Sequence, residues 1–288
     1  MLLACLLATT GCSRFGSPAP TPPHYVLGAN YQVGGIWFYP QALTQYEATG
    51  LLAIVADHRG LTADGETYDP AALAGSHPTL QLPVIARVTN LENGRQVLVR
   101  LNDRGPADPA RVVALTPHAA ALLRASAGTR VSVQLDGDMT RQLTDQVGGG
   151  PALIVATAPR ASVQAEPLAP PPGIATSNRA NRVQRPAIPD IAATAALRVP
   201  DRLPDQVTEV AATPGQIYLR ASQFGRIDYA QRQATQLTGL NPYVERVGSG
   251  RTGTYRVRAG PFATVAEADA AMAQARRAGV IDSRLVVE

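Results

Sequence analysis

Proline placement constrains this chain most. Ten of its 24 Pro fall between residues 151 and 213, in a stretch rich in Ala and without sustained apolar periodicity. Proline fixes φ and carries no amide donor, so such a stretch supports neither a helix interior nor a central strand. Residues 141–213 therefore read as a Pro/Ala-rich linker that holds apart two folded segments, 25–140 and 214–288. The 288 residues are enough for two domains with cores of their own.

The upstream segment consists of short β-type runs broken by turn signals. Val84–Thr89 reads as a strand, Asn93-Gly94 as a tight hairpin turn, and Gln96–Leu101 as the return strand. In that return strand Val97, Val99 and Leu101 alternate with Gln96, Leu98 and Arg100. Thr116–Arg124 reads as a short helix with Thr116 as N-cap and Pro117 at its first position. Thr129–Leu135 reads as a further strand. Many short strands with one short helix point to a small β-barrel.

The downstream segment repeats itself. Arg220, Ala221 and Phe224 recur 38 positions later as Arg258, Ala259 and Phe262. Each copy leads into a helical stretch, Tyr229–Leu237 and Val265–Ala278, and then a strand, Tyr243–Val247 and Ser283–Val287. The order is βαββαβ, an antiparallel sheet with both helices on one face. Strand alternation places Tyr218, Arg220, Arg256 and Arg258 on the face opposite Leu219 and Ala221. Those four can bind a polar chain through carbonyl and carboxylate groups, or can be ordinary solvated strand residues.

Charge and cysteine content exclude several chemistries. All 26 basic residues are Arg, which argues against a phosphate loop built on Lys. The net charge of +4 sits in the last quarter of the chain, with no basic run and no reading helix, so no nucleic-acid partner is expected. The two Cys, Cys5 and Cys12, lie in the first dozen residues, which excludes a disulfide framework and a Cys nucleophile in the folded segments. Four His without further Cys offer no ligand spacing, so no metal site and no cofactor are expected. The apolar run Leu2–Ala8 is too short to span a bilayer as a helix and is similar to the core of a secretory signal over residues 1–11. Gly11-Cys12 resembles a bacterial lipoprotein processing site, which would make Cys12 the lipidated N-terminus of a tether, residues 12–24, on a membrane.

Three motifs in the barrel segment carry candidate chemistry: Thr62–Asp69 (TADGETYD), Ser76–Pro83 (SHPTLQLP) and Asn102–Pro106 (NDRGP). An acid at a strand end, between Asn and an Arg-Gly-Pro turn, is held as rigidly as a general acid requires. Taken singly, Asp103 can also cap a turn or pair with Arg104, Glu66 can be a solvated loop acid, and His77 a structural imidazole.

Together with YQVGGIWFYP (Tyr31–Pro40) and the long run Arg87–Pro106, these motifs resemble the rare lipoprotein A (RlpA) family. The repeat at 214–288 resembles the SPOR domain that ends many of its members. The resemblance implies a double-psi β-barrel, a Pro-rich linker and a peptidoglycan-binding SPOR domain. It implies an endolytic lytic transglycosylase that cleaves MurNAc–GlcNAc bonds in peptide-free glycan strands and leaves 1,6-anhydroMurNAc ends. By the same resemblance Glu66 and Asp103 are the catalytic carboxylates, His77 is a supporting site residue, and His58 matches a His ahead of the Glu motif. The protein is then expected to be a monomer on the cell envelope, lipid-anchored on the periplasmic face of the outer membrane and enriched at the septum. Two positions depart from the family. Ala53-Ile54-Val55-Ala56 stands where members have Ser-Trp-Tyr-Gly, and Ala114 where many have Asp. Loss of that aromatic platform motivates a second reading, a glycan-binding septal lipoprotein whose barrel does not turn over.

Overall fold

The computed structural model describes residues 22–55, 60–150, 198–248 and 253–288. The expected signal, Cys12, His58 and most of the linker lie outside the described residues.

A hairpin, β1 (Tyr31–Val33) and β2 (Ile36–Phe38), precedes the barrel. The barrel strands are β3 (Glu47–Ile54), β4 (Ala74–Ser76), β5 (Val84–Asn90), β6 (Arg95–Asp103), β7 (Val113–Leu115) and β8 (Arg130–Leu135). They run in the order β4-β7-β3-β8-β5-β6, and a β4–β6 pairing closes the ring. The pairs β3–β7 and β4–β6 are parallel and the rest antiparallel. Closure satisfies the backbone groups that an open sheet would leave at its edges. The interior is filled by alternate side chains, among them Val97, Val99 and Leu101 of β6 and Val131 and Val133 of β8. This is the double-psi β-barrel expected of the segment.

The helix α1 (Pro117–Leu122) begins as expected, with Thr116 Oγ1 accepting from the Ala119 amide. A second helix, α2 (Gly137–Val147), starts on Asp136, whose carboxylate accepts from Met139 N, and sends Leu143 into the barrel core. It runs past the expected linker start at 141. Within the same stretch β9 (Val207–Glu209) pairs antiparallel with the first half of β6, the half that β4 leaves open.

The C-terminal domain has the order β10 (Ile217–Phe224), α3 (Ile227–Gln236), β11 (Tyr243–Val247), β12 (Thr254–Phe262), α4 (Val265–Arg277) and β13 (Arg284–Val287). Its antiparallel sheet runs β11-β12-β10-β13. Ile217, Leu219, Ala221, Val257 and Ala259 face the Ala-rich side of α4, so both helices cover one face as the repeat predicts. Small Ala side chains let α4 lie close to the sheet. Thr264 caps its N-terminus and Arg276 and Arg277 occupy its last turn, complementing the helix dipole.

Candidate active site

The site is built where β4 and β6 run side by side. Their parallel register sets Ser76 beside Asp103, and Gly75 has no room for a Cβ, which would lie 2.5 Å from the Ala114 carbonyl oxygen. His77 follows directly, and its amide donates to the Asp103 carbonyl at 3.0 Å. Asp103 Oδ1 accepts from the amides of Ala63 (2.9 Å) and Arg104 (2.8 Å). Two amide donors on one oxygen fix the carboxyl plane. The Arg104 guanidinium turns instead to the carbonyls of Leu80 and Leu27, joining the N-terminal segment to the loop after His77. Burial pulls that guanidinium below its ordinary value.

The turn Thr62–Glu66 presents the second carboxylate. Thr62 N donates to Glu66 O at 2.8 Å, and Gly65 sits at φ 94°, where a side chain would be strained. Asn102 Nδ2 donates to Glu66 Oε2 at 2.6 Å, and Arg100 Nη2 pairs with Glu66 Oε1 at 2.8 Å. Both Glu66 oxygens thus accept, the pattern of an acceptor-only carboxylate. With the Arg100–Glu66 pair, three hydrogen bonds weld this turn to the end of β6: Ala63 N to Asp103 Oδ1, Asn102 Nδ2 to Glu66 Oε2, and Asp64 N to Asn102 O.

Asp64 is fully buried inside the turn. Its Oδ1 accepts from Thr62 Oγ1 (2.7 Å) and Glu66 N (3.2 Å), while Oδ2 has no hydrogen-bond partner among the described residues. Burial pushes this carboxyl up to about 6, with the Thr62 bond opposing and the Glu66 charge reinforcing the rise.

His77 is 1% exposed. Its Nδ1 accepts from the amides of Thr79 (3.2 Å) and Leu80 (3.0 Å). Two N–H donors on Nδ1 leave the proton of a neutral ring on Nε2, which donates to Tyr46 Oη at 3.0 Å. Burial, aided by the Arg104 charge, lowers its pKa to about 3. His77 is therefore a neutral organiser of the loop and of Tyr46, whose ring meets it edge-on at 5.0 Å.

Glu66, His77 and Asp103 stand on adjoining segments: the Glu66 turn and the His77 amide each bond the end of β6 that bears Asp103. Sequence reasoning did not assign roles to Arg100, Asn102, Asp64 or Tyr46. The first three flank named motif residues, and that adjacency was their signal. Tyr46 had none, since only the fold brings it to His77.

On the C-terminal sheet, Tyr218, Arg220, Arg256 and Arg258 share one face as alternation predicts. Two acids interleave with them. Glu245 accepts from Arg256 Nη1 (3.2 Å) and Arg258 Nη1 (2.9 Å), and Glu288 pairs with both Arg220 and Arg258. Burial raises Glu288, but the Arg220 bond and the Arg258 charge outweigh it and hold the carboxyl below its ordinary range. Arg258, 8% exposed, lies 4.5 Å from the Tyr218 ring centroid and 5.6 Å from that of Tyr243. It is the buried centre of an aromatic and charged patch, not a cation projecting into solvent.

Comparison with known proteins follows these two regions. Residues 47–135 match the family described as "Lytic transglycolase", and residues 213–283 match the SPOR domain. The chain is 31% identical over 265 residues, 88% of its length, to the endolytic peptidoglycan transglycosylase RlpA of Pseudomonas aeruginosa strain UCBPP-PA14, covering 75% of that protein. It is 46% identical over 92 residues to the protein of that name from Escherichia coli K12, covering 31% of this chain and 25% of the relative. The crystal structure of the RlpA SPOR domain from P. aeruginosa aligns with a TM-score of 0.23 and 24% identity, over 25% of this chain and 99% of that one.

Proposed function

We propose, from a chain that belongs to the RlpA family of peptidoglycan lytic transglycosylases, that the barrel cleaves the MurNAc–GlcNAc bond of peptide-free glycan strands by an acid-then-base cycle at Asp103. The observation that carries this reading is the welded pair, the Glu66 turn bonded to the strand end that bears Asp103. Asp103, as the carboxylic acid, gives its proton to the glycosidic oxygen while the C1–O bond breaks and an oxocarbenium-like centre develops on MurNAc. Its carboxylate then takes the proton of the sugar's own 6-hydroxyl as that oxygen bonds to C1. An anhydro ring closes without water. Glu66, with both oxygens fixed by Arg100 and Asn102, is placed to stabilise positive charge or orient the 6-hydroxyl, not to shuttle protons. His77 stays neutral through the cycle and holds the loop.

In this reading the Tyr218–Arg258–Tyr243 patch binds glycan, with tyrosine faces for sugar rings and the Arg220 and Arg256 edges for carbonyl or lactyl groups. The protein would act as a monomer on the cell envelope, lipidated at Cys12 on the periplasmic face of the outer membrane and concentrated at septal peptidoglycan.

Mass spectrometry of peptide-free glycan after incubation tests the chemistry. Wild type should release 1,6-anhydroMurNAc ends. Asp103→Asn should lower the rate by about 100-fold or more, the scale of a lost general acid/base. Full cleavage by a folded Asp103→Asn protein would move the proton transfer elsewhere.

A further inference from the structure

The last part of the stretch expected to be linker, Val199–Thr213, returns to the barrel. Val199 and Leu203 are buried in the barrel core, Arg202 Nη2 donates to Ala71 O at 2.7 Å, and Asp205 bonds His118 at 2.9 Å. The strand β9 then extends the sheet, and Val210 N and Thr213 N donate to the carbonyls of Gly94 and Leu91, each at 2.9 Å. At Gly94 a Cβ would lie 1.9 Å from Val210 O, so this strap requires the glycine of the β5–β6 turn.

The domain that follows the strap is fastened to the same barrel. Arg111, just before β7, makes a bidentate pair with Asp269 of α4 at 2.7 and 2.8 Å. Thr49 Oγ1 of β3 donates to Val287 O at 2.6 Å and accepts from Val287 N at 3.2 Å, on the outer edge of β13. Leu51, fully buried, joins the apolar cluster of the C-terminal domain, as do Leu91 and Ala110. A planar fork on a carboxylate, a strand edge bonded by a half-buried hydroxyl and a shared apolar core are features of a built interface.

We propose that the SPOR domain docks on the barrel wall in cis, and that strap and domain together support the catalytic site. Two routes reach the site. The strap carbonyl of Asp201 accepts from Arg100 Nη1 at 3.5 Å, and Arg100 holds Glu66. The docked β13 grips Thr49, three residues from Tyr46, which holds His77. The charge of Arg284 on β13 also acts on the Tyr46 hydroxyl, opposing the rise that burial causes. Asp269, Arg111 and Thr49 are positioning residues in this scheme, acting through groups that touch the site. Residues 151–197 then connect two points of a single body, and the SPOR domain contributes to turnover as well as to binding.

A protease site inserted after Thr213 of the full chain, between the strap and the SPOR domain, tests the docking. After cutting, the two fragments should co-elute on size exclusion at physiological salt. Arg111→Asp should make them separate, and Arg111→Asp with Asp269→Arg should restore co-elution. Fragments that separate in the otherwise wild-type chain would overturn the docking, whatever the catalytic chemistry. The kinetic arm rests on the transglycosylase reading and uses soluble peptide-free glycan with the uncut chain. Arg111→Asp should lower kcat at least fivefold, beyond any change in KM, and the charge swap should recover it. Co-elution with unchanged kcat would overturn the support role.

Discussion

Two buried groups of opposite chemistry set how the site responds to acid. Asp64 titrates near 6 in the fold against 3.8 in the free chain, so its stabilising effect is complete below about 4 and lost as pH rises through about 6. His77 titrates near 3 against 6.5, so its effect is complete above 6.5 and lost as pH falls towards 3. Between about 4 and 6 the slopes oppose, each no steeper than about 1.4 kcal/mol per pH unit. Thermal unfolding from pH 4 to 7 should separate them. Asp64→Asn keeps an oxygen for Thr62 and Glu66 and removes the titration, so its Tm should fall more steeply on acidification than that of wild type. His77→Gln should shift the slope the other way. Identical profiles for all three proteins would mean that neither group titrates as its burial implies. At this scale the sequence was informative where residues stand in motifs: Glu66, His77 and Asp103 were legible. The protonation of His77 was not, because it depends on burial and on amide donors that only the fold assembles.

Among the elements, β6 carries most of the design. Period-two alternation places Arg100 with the outward residues Gln96 and Leu98, yet its side chain is 10% exposed and paired with Glu66. Here tertiary pairing overrides the pattern, since the Glu66 turn and the strap meet the Arg100 side chain on the outer side of the strand. Removing one partner of a mostly buried ion pair costs about 3–5 kcal/mol, because the other charge remains desolvated. Arg100→Ala should therefore destabilise the chain by about 3 kcal/mol in denaturant unfolding. Its kcat should fall with that of Glu66→Gln, and the double variant should be little worse than either alone. Fully additive losses would show that Arg100 acts independently of Glu66. The helices show what pattern reading catches. The α1 cap and the α4 stretch announce themselves through Thr-Pro and Ala periodicity, whereas α2 was hidden beside a Pro-rich stretch although Asp136 is a serviceable N-cap.

For the whole molecule, the βαββαβ repeat was readable because it rests on a local signal, a 38-residue period. The strap was not, since Val199 and Leu203 are two isolated apolar residues whose burial depends on a distant barrel surface. The same long-range logic governs solubility. Arg111→Asp, by loosening the docked domain, should increase light scattering at high protein concentration, and the charge swap should return it to the wild-type level. No increase would show that the freed surface is not adhesive.

That expectation has a geometric root in β13. A four-stranded sheet has two flanks, and head-to-tail growth into a fibre needs both, one copy's β13 meeting the next copy's β11. Thr49 occupies the β13 flank within the same chain. Through this sheet, crowded neighbours can then pair only along β11, an encounter that stops at two copies. The barrel thus closes one flank of this sheet to a second copy.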